Sequence, residues 1–405
     1  MSRLLVIELP GGDDGDILAA ARAGGHALTL LTADPAHYRA QPALAALLAG
    51  VAVIDAGGFD LPALLPRLAG FDAVLCLQDL RIVEAAEIAA ALGLRHVSPA
   101  TAALCRDKVA VRDRLAAAGI AQPPHVRVRG AEELIAAAEA LGLPLIVKPV
   151  DGFGSQNIFA LRAPDDLMLL RAAAGLIADA PGDYGLGVAA RGEMVVERLI
   201  AGPLIGCDTM SVDGRHRLLG VNEKLAFPPP AFALRGGCFT AHVGQFDDLA
   251  AYAAMLLDAI EFRDGAAHTE LILTADGPQL VEINPRLVGA RIARLISAAR
   301  GASAHADLIA LHAEGRLPAP AIGPGHAVTR WLAAPMAGTL RSLALPDCAD
   351  PGFIGATLLA QPGDAVTPPL DNADRLGCVM TAGQDRAAAE ALAERIVAET
   401  TITMA

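Results

Sequence analysis

Between residues 1 and 100, short apolar runs alternate with longer stretches that return an apolar residue every three or four positions. Leu4-Leu5-Val6-Ile7 and the runs at 27–31, 51–54 and 73–77 predict strands, with helices over 16–25, 61–68 and 82–92 between them. Gly24-Gly25 stops the first helix. Strands apolar throughout, separated by helices, predict a parallel sheet covered on both faces. Further along, the spacing predicts helices over 109–118, 131–140, 249–260, 287–313 and 386–399, and strands over 145–149, 193–200, 207–212 and 217–221. Phe227 through Gly237 reads as an irregular loop, and the Pro/Gly-rich stretch 319–325 as a boundary.

The densest chemistry lies between His268 and Arg286. This stretch reads as two strands joined at Ala275-Asp276-Gly277-Pro278. With the turn centred on Asp276, Glu270 and Glu282 lie opposite each other, about 5 Å apart. Asn284 then shares a face with Glu282, His268 points with Glu270, and Arg286 follows. Two carboxylates that close repel. Hard oxygen donors around an open site suit Mg²⁺ bound jointly with phosphates. Ordinary solvent-facing acids would give the same alternation.

Lys148 ends the 145–149 strand and is followed by Asp151-Gly152-Phe153-Gly154-Ser155-Gln156-Asn157. Such glycines let backbone N–H groups approach a ligand closely, and the lysine adds a point charge for phosphate oxygens. GxxxxGK[ST] is absent, so this is not a P-loop, and a hairpin turn with a snorkelling lysine is the plain alternative. The turn Pro10-Gly11-Gly12-Asp13-Asp14-Gly15 does not fit GxGxxG, and its aspartates oppose a pyrophosphate. It reads as a strand-to-helix turn with an aspartate near the helix N-terminus. Lys224, at a strand end, is a candidate for binding a carboxylate or another anion. His242 is suited to deprotonating an amine near neutral pH. For both, a surface residue without a role is the alternative.

Composition narrows the partners. A chain of 405 residues is long for one core, and its 54% hydrophobic content, inflated by Ala and Leu, supplies more than one. Aromatics at 3% argue against base-stacking platforms, and a net charge of −13 argues against a nucleic-acid backbone partner. The six cysteines form no CxxC pair, which suits buried thiols in a reducing compartment. The N-terminal apolar run is too short for a signal peptide, and none approaches the ~18 residues of a membrane span. A cytoplasmic protein with no membrane partner is expected.

Lys108 after Asp107, Lys148 before a glycine-rich loop, Glu197 before Ala201-Gly202-Pro203, Glu270, and Glu282-Ile283-Asn284-Pro285-Arg286 occur in the order of the ATP-grasp superfamily. The chain resembles its biotin-carboxylase-like branch, and within it the L-amino acid ligases, which join two amino acids or similar carboxylate and amine partners. The resemblance implies a mixed α/β and α+β chain. A parallel-sheet domain would span 1–100, an ATP-grasp core 101–320 with a mobile lid subdomain about 124–195, and a small C-terminal α+β domain 321–405.

It also implies roles. Lys108 and Lys148 would contact ATP phosphates under a lid loop of Gly152, Gly154 and Ser155. Glu197 and the backbone of Leu199 would hold the adenine edge, with Lys224 also at the nucleotide. Glu270 and Glu282 would bind Mg²⁺, or Mn²⁺ in its place, with Asn284 assisting. Arg286 would face the transferred phosphoryl group, and Lys148 and His242 would complete the catalytic set. The family's ribose-binding glutamate falls on Leu204 here, leaving Asp208 or water to replace it. The implied reaction forms an amide through an acyl phosphate and releases ADP and phosphate. A homodimer is compatible with this reading. Two alternatives stay open: a purine-pathway enzyme joining formate or bicarbonate to a ribonucleotide amine, and a nucleotide-binding module without catalysis. Asp13-Asp14 weighs against the first, and intact Glu270, Glu282, Asn284 and Arg286 against the second.

Overall fold

In the computed structural model, which describes residues 1–9, 14–166, 169, 173–175, 184, 186–228 and 232–405, the chain begins with the expected parallel sheet. Strands β1 (Arg3–Ile7), β2 (Ala27–Thr32), β3 (Ala52–Asp55) and β4 (Ala73–Cys76) lie in the order β3-β2-β1-β4, each pair parallel. Central β1 is buried from Leu4 to Ile7, which is why its sequence is apolar without alternation. Two short helices, Pro35–Ala40 and Pro42–Leu47, are additions that apolar spacing does not announce. Each opens on a proline, whose fixed φ suits a first helical turn. Residues 10–13 of the Pro10–Gly15 turn lie outside the described residues.

A second, antiparallel sheet is built from β5 (His125–Val128), β6 (Leu145–Pro149), β7 (Phe159–Leu161) and β8 (Met194–Arg198), in the order β5-β8-β6-β7. The helix Ala131–Leu141 packs on it through Leu134 and Ala137, against Val147 and Val196. β5 starts directly after Gln122-Pro123-Pro124 and is too short for its alternation to show in sequence.

The remaining strands are β9 (Leu204–Val212), β10 (Arg215–Ala226), β11 (Leu234–Thr240), β12 (Gly265–Thr274), β13 (Gly277–Asn284), β14 (His326–Leu332), β15 (Gly338–Ala344), β16 (Phe353–Leu358), β17 (Ala365–Val366), β18 (Gly377–Gly383) and β19 (Thr401–Met404). Eight of them form one antiparallel sheet, β13-β12-β9-β10-β11-β14-β18-β16. A small sheet runs β17-β15-β19. Pairing of β11 with β14 carries the large sheet across the 319–325 stretch. One face packs against helices Ile292–Arg300 and Ala304–Glu314. The other packs against Pro99–Cys105, Lys108–Ala117 and Asp247–Ala259.

Two local expectations are corrected. The helix expected over 287–313 is two helices, broken at Gly301, which takes the left-handed conformation at φ 69°, and restarted by Ser303, whose side chain caps Ala306 N–H. The loop expected through Gly237 ends earlier, because Gly236 and Gly237 belong to β11. Their place in a central strand follows from crowding: a Cβ on Gly236 would stand 2.3 Å from the Thr329 carbonyl oxygen, and one on Gly237 2.5 Å from that of Glu223. Residues 229–231 of that loop lie outside the described residues. Among the described residues, no helix is long and apolar enough to cross a membrane.

Candidate active site

The hairpin of β12 and β13 brings its acids together by a route the sequence does not show. Its turn is the tight pair Ala275-Asp276, with Thr274 opposite Gly277 and Leu271 opposite Leu280. That register alone would set Glu270 against Val281. A bulge between Glu270 and Leu271 leaves Val281 unpaired and moves Glu282 opposite Glu270 and Asn284 opposite His268. On the other side of β12, Asp208 faces His268 and Gly206 faces Glu270. Directly paired residues share a face, so these acids, the histidine and the amide converge on one surface.

Cations neutralise that surface. Lys224 donates from Nζ to Glu270 Oε1 and lies 3.1 Å from His268 Nε2. To reach them it crosses β9 at Gly206, where a Cβ would stand 2.3 Å from the His268 ring. Burial resists ionisation of Glu270, but Lys224 and His268 outweigh it and hold the carboxyl well below its usual range. Burial likewise favours neutral His268, yet the charge of Asp208, whose Oδ1 is 2.8 Å from Nδ1, raises it. Asp208 is therefore engaged with His268 through Oδ1, while its Oδ2 is buried without a hydrogen bond among the described residues.

Lys108 links the acids to the glycine-rich loop. Its Nζ donates to the Gly152 carbonyl at 2.7 Å and pairs with Glu282 Oε2 at 3.2 Å. Asp107 caps this lysine's helix by accepting from Ala110 N–H at 2.9 Å. In the loop, Gly154 and Ser155 both take positive φ, 67° and 62°. Lys148 is buried, and its Nζ sits 2.5 Å from Glu197 Oε1, while Arg112 Nε donates to Oε2 at 2.5 Å. Burial lowers Lys148 from its ordinary value. It pushes the other way on Glu197, but Lys148 and Arg112 prevail and bring that carboxyl down to about 2. The Leu199 N–H, expected at the adenine edge, donates to the Pro144 carbonyl at 3.0 Å in this structure.

Arg286 is half-buried and turns toward Asp79, to which its Nη2 donates; Nη1 donates to the Leu287 carbonyl at 3.1 Å. Its Nε is buried without a partner. Arg106 Nη1 lies 4.0 Å from the other Asp79 oxygen. Glu282 also acts on Arg286 electrostatically. His242 is not brought to the carboxylates. It is exposed beyond β11, with its ring 5.5 Å from that of His326. Asp79, Arg112 and Arg106 are members that sequence reading missed. Arg112 alone left a signal, standing four residues after Lys108 on one helical face.

Among the described residues no three His, Cys, Asp or Glu side chains are placed to hold a metal by themselves. Glu270 and Glu282 with Asn284, whose Nδ2 donates to Glu282 Oε1 at 2.9 Å, are a different donor set. Two carboxylates and an amide beside lysines fit Mg²⁺ that completes its shell with phosphate oxygens.

Comparison with known proteins bears on the chain's domains and fold. The ATP-grasp domain family matches residues 141–294, and the family "L-amino acid ligase C-terminal domain 2" matches residues 330–405. The chain spans 60% and 55% of the lengths of two curated relatives. The second is an L-arginine-specific L-amino acid ligase of Bacillus subtilis, 26% identical over 57% of this chain. In three dimensions, an L-amino acid ligase from Bacillus licheniformis superposes with a TM-score of 0.79 at 19% identity, covering 100% of this chain and 99% of its own. The biotin carboxylase domain of a Hydrogenobacter thermophilus 2-oxoglutarate carboxylase, crystallised with MgADP, ADP and bicarbonate, does so with 0.72 at 16%, over 100% and 91%. The chain thus carries an ATP-grasp domain over residues 141–294 and a C-terminal segment that matches the one found in L-amino acid ligases, on a fold shared with an L-amino acid ligase and a biotin carboxylase.

Proposed function

We propose that this protein is an ATP-dependent carboxylate–amine ligase that joins two amino acids, or an amino acid and a similar small partner, through an acyl phosphate. The observation that carries the reading is the facing pair Glu270 and Glu282, with Lys108 spanning from Glu282 to the Gly152 carbonyl. In this reading the two carboxylates are the metal-binding oxygens, Lys108 is the phosphate-binding cation, and the glycine-rich loop lies over both.

When bound, Mg²⁺ held by Glu270, Glu282 and Asn284 would neutralise charge on the nucleotide phosphates. Lys108 and Lys148 position the phosphates, and the loop of Gly152, Gly154 and Ser155 covers them. A carboxylate oxygen of the first substrate attacks the terminal phosphorus of ATP, and the bond to the oxygen left on ADP breaks. Arg286 turns from Asp79 to the transferring oxygens, where its planar fork stabilises their charge. The amine nitrogen of the second substrate then attacks the acyl carbon. The carbon–oxygen bond to phosphate breaks, phosphate departs, and the nitrogen gives up a proton. Little covalent help is needed from the protein, so positioning and charge are what the site has to supply.

Acyl phosphates hydrolyse readily, which gives a closing lid its chemical purpose. In this reading residues 1–100 form the preceding domain, 101–320 the catalytic core with a lid near 124–195, and 321–405 the C-terminal domain. The family match over residues 330–405 and the relative's specificity for L-arginine support amino acids as substrates. Six free cysteines, five of them buried, suit a reducing cytoplasm.

The test is a phosphate-release screen over L-amino acids and small carboxylates, with nucleotide products separated by chromatography. ADP and phosphate, formed only with a carboxylate present, and amide formed only when the amine is added, are expected. AMP as the product would overturn the reading.

A further inference from the structure

The face that carries Glu270 and Lys224 continues across the sheet to a cation that no acid touches, Asp371 acting on it only from a distance. Lys224 pairs with Gly237, and Gly237 pairs with Thr329, so the three share that face, as does Trp331 two residues on. The Arg375 guanidinium lies on the Trp331 ring, 3.6 Å from its centroid. Arg375 is only 8% exposed. Its Nε donates to the Asn372 carbonyl at 2.8 Å. Among the described residues its two terminal nitrogens make no hydrogen bond, and no carboxylate stands within ion-pair distance. A buried cation without a directly paired counter-ion is costly to keep.

Two further groups on this face lack partners. Asn222 Oδ1 and Thr329 Oγ1 are buried without a hydrogen bond among the described residues. Asn222 Oδ1 would stand 3.0 Å from a Cβ on Gly237, so it faces the space that this glycine leaves open. Orphaned oxygens suit an ammonium or amine, and a guanidinium fork suits a carboxylate. The segment bearing Arg375 is also tied to the glycine-rich loop, because Asn372 Nδ2 lies 3.3 Å from the Gly154 carbonyl oxygen and 3.4 Å from Ser155 Oγ.

We infer that Arg375, seated over Trp331, binds the carboxylate of the amine-donating amino acid. The inference rests on the ligase reading. In such a reaction the first substrate's carboxylate is consumed, whereas the second substrate keeps its own. That second carboxylate needs a counter-ion away from Glu270 and Glu282, both to be held and to escape phosphorylation. Arg375 is a buried cation lacking a directly paired one on the same face. Burial, which pulls its guanidinium down to about 10, agrees with the missing partner.

Calorimetry on the full-length protein with MgADP present tests this directly. The probes are the standard L-amino acids and their carboxamides, titrated into wild type, Arg375→Lys and Arg375→Gln. In wild type the tightest-binding acid should exceed its amide by roughly 10–10²-fold, the strength of a charge-assisted fork. Arg375→Gln should erase that preference by weakening the acid alone, and Arg375→Lys should restore part of it. Melting curves identify any variant that fails to fold; if Arg375→Gln does, the Lys variant decides by narrowing the preference. An unchanged acid-over-amide ratio in folded variants overturns the inference, as does a wild type that prefers no acid to its amide. Weakened MgADP binding with an unchanged ratio would place Arg375 at the phosphates and overturn it too. Amide synthesis measured in parallel keeps the two questions apart, since its absence would count against the ligase reading whatever the binding ratios show.

Discussion

Lys148–Glu197 and Lys108–Glu282 are the same chemical pair in two settings. In the first, the side chains are 5% and 4% exposed, the separation is 2.5 Å, and Arg112 takes the second carboxylate oxygen. In the second, the side chains are 10% and 21% exposed and the ions are 3.2 Å apart. Glu197 has a cation on each oxygen and nothing left to offer a metal. Glu282 shares its lysine with a carbonyl and faces another acid, so it has room for a further positive charge. Burial and saturation thus separate a supporting pair from an exchangeable one. Desolvated ions that lose a partner are left stranded, whereas a partly wet pair gives up its partner at little cost.

The comparison breaks most visibly at Glu282. Glu282→Gln should lower turnover by roughly 10²-fold or more while melting near wild type, because a metal ligand goes and no buried ion is stranded. Glu197→Gln should behave in the opposite sense. It leaves Lys148 and Arg112 facing each other in the dry interior and should lower stability by about 3–5 kcal/mol in denaturant titration. Equal melting temperatures for the two variants would erase the distinction. Arg286→Lys comes next: charge is kept and the fork is lost, so kcat should fall roughly 10²-fold with a smaller change in ATP affinity. Steady-state kinetics with varied ATP decide it, and an unchanged kcat would remove Arg286 from the chemistry.

Acid stability sharpens the contrast with a smaller effect. The folded Glu197 carboxyl is at about 2 against an ordinary 4.5, a depressed value. Its stabilisation is therefore complete above 4.5 and lost as pH falls toward 2. Wild type should lose stability across that window more steeply than Glu197→Gln, as thermal melts at stepped pH would show. The smallest expected change is in hydrogen exchange over residues 150–157, which should slow when an ATP analogue with Mg²⁺ is added. Identical protection in both states would argue against a loop that grips phosphate.

Local periodicity carried much of this site into view. The acids of the hairpin, Lys148 and the glycine-rich loop lie on short segments where alternation and turn residues set direction. The centre of the turn was misplaced, because a bulge in one strand has no signature beyond the count of residues on each arm. The groups that hold the site from afar were illegible for another reason. Arg286 meets Asp79 across 207 residues, and Arg112 meets Glu197 across 85. No window along the chain contains both partners. The first sheet was readable because buried parallel strands are apolar without interruption, while β5 and the two proline-led helices near residue 40 are too short to establish a period.

The bulge opposite Glu270 also divides the hairpin into two zones that tolerate change differently. Beyond it, from Leu271 through the turn to Leu280, residues can be added in balanced numbers at the tip without disturbing the acids, so this tip is a natural place to graft a tag or a fluorophore. At the bulge a single residue counts. Deleting Val281 would restore a regular ladder in which Glu282 follows Leu280 directly and still stands opposite Glu270, so the extra residue supplies local bend and twist at the two acids rather than their pairing. One residue without a pairing partner therefore sets how the two carboxylates are aimed, and its deletion should leave them facing.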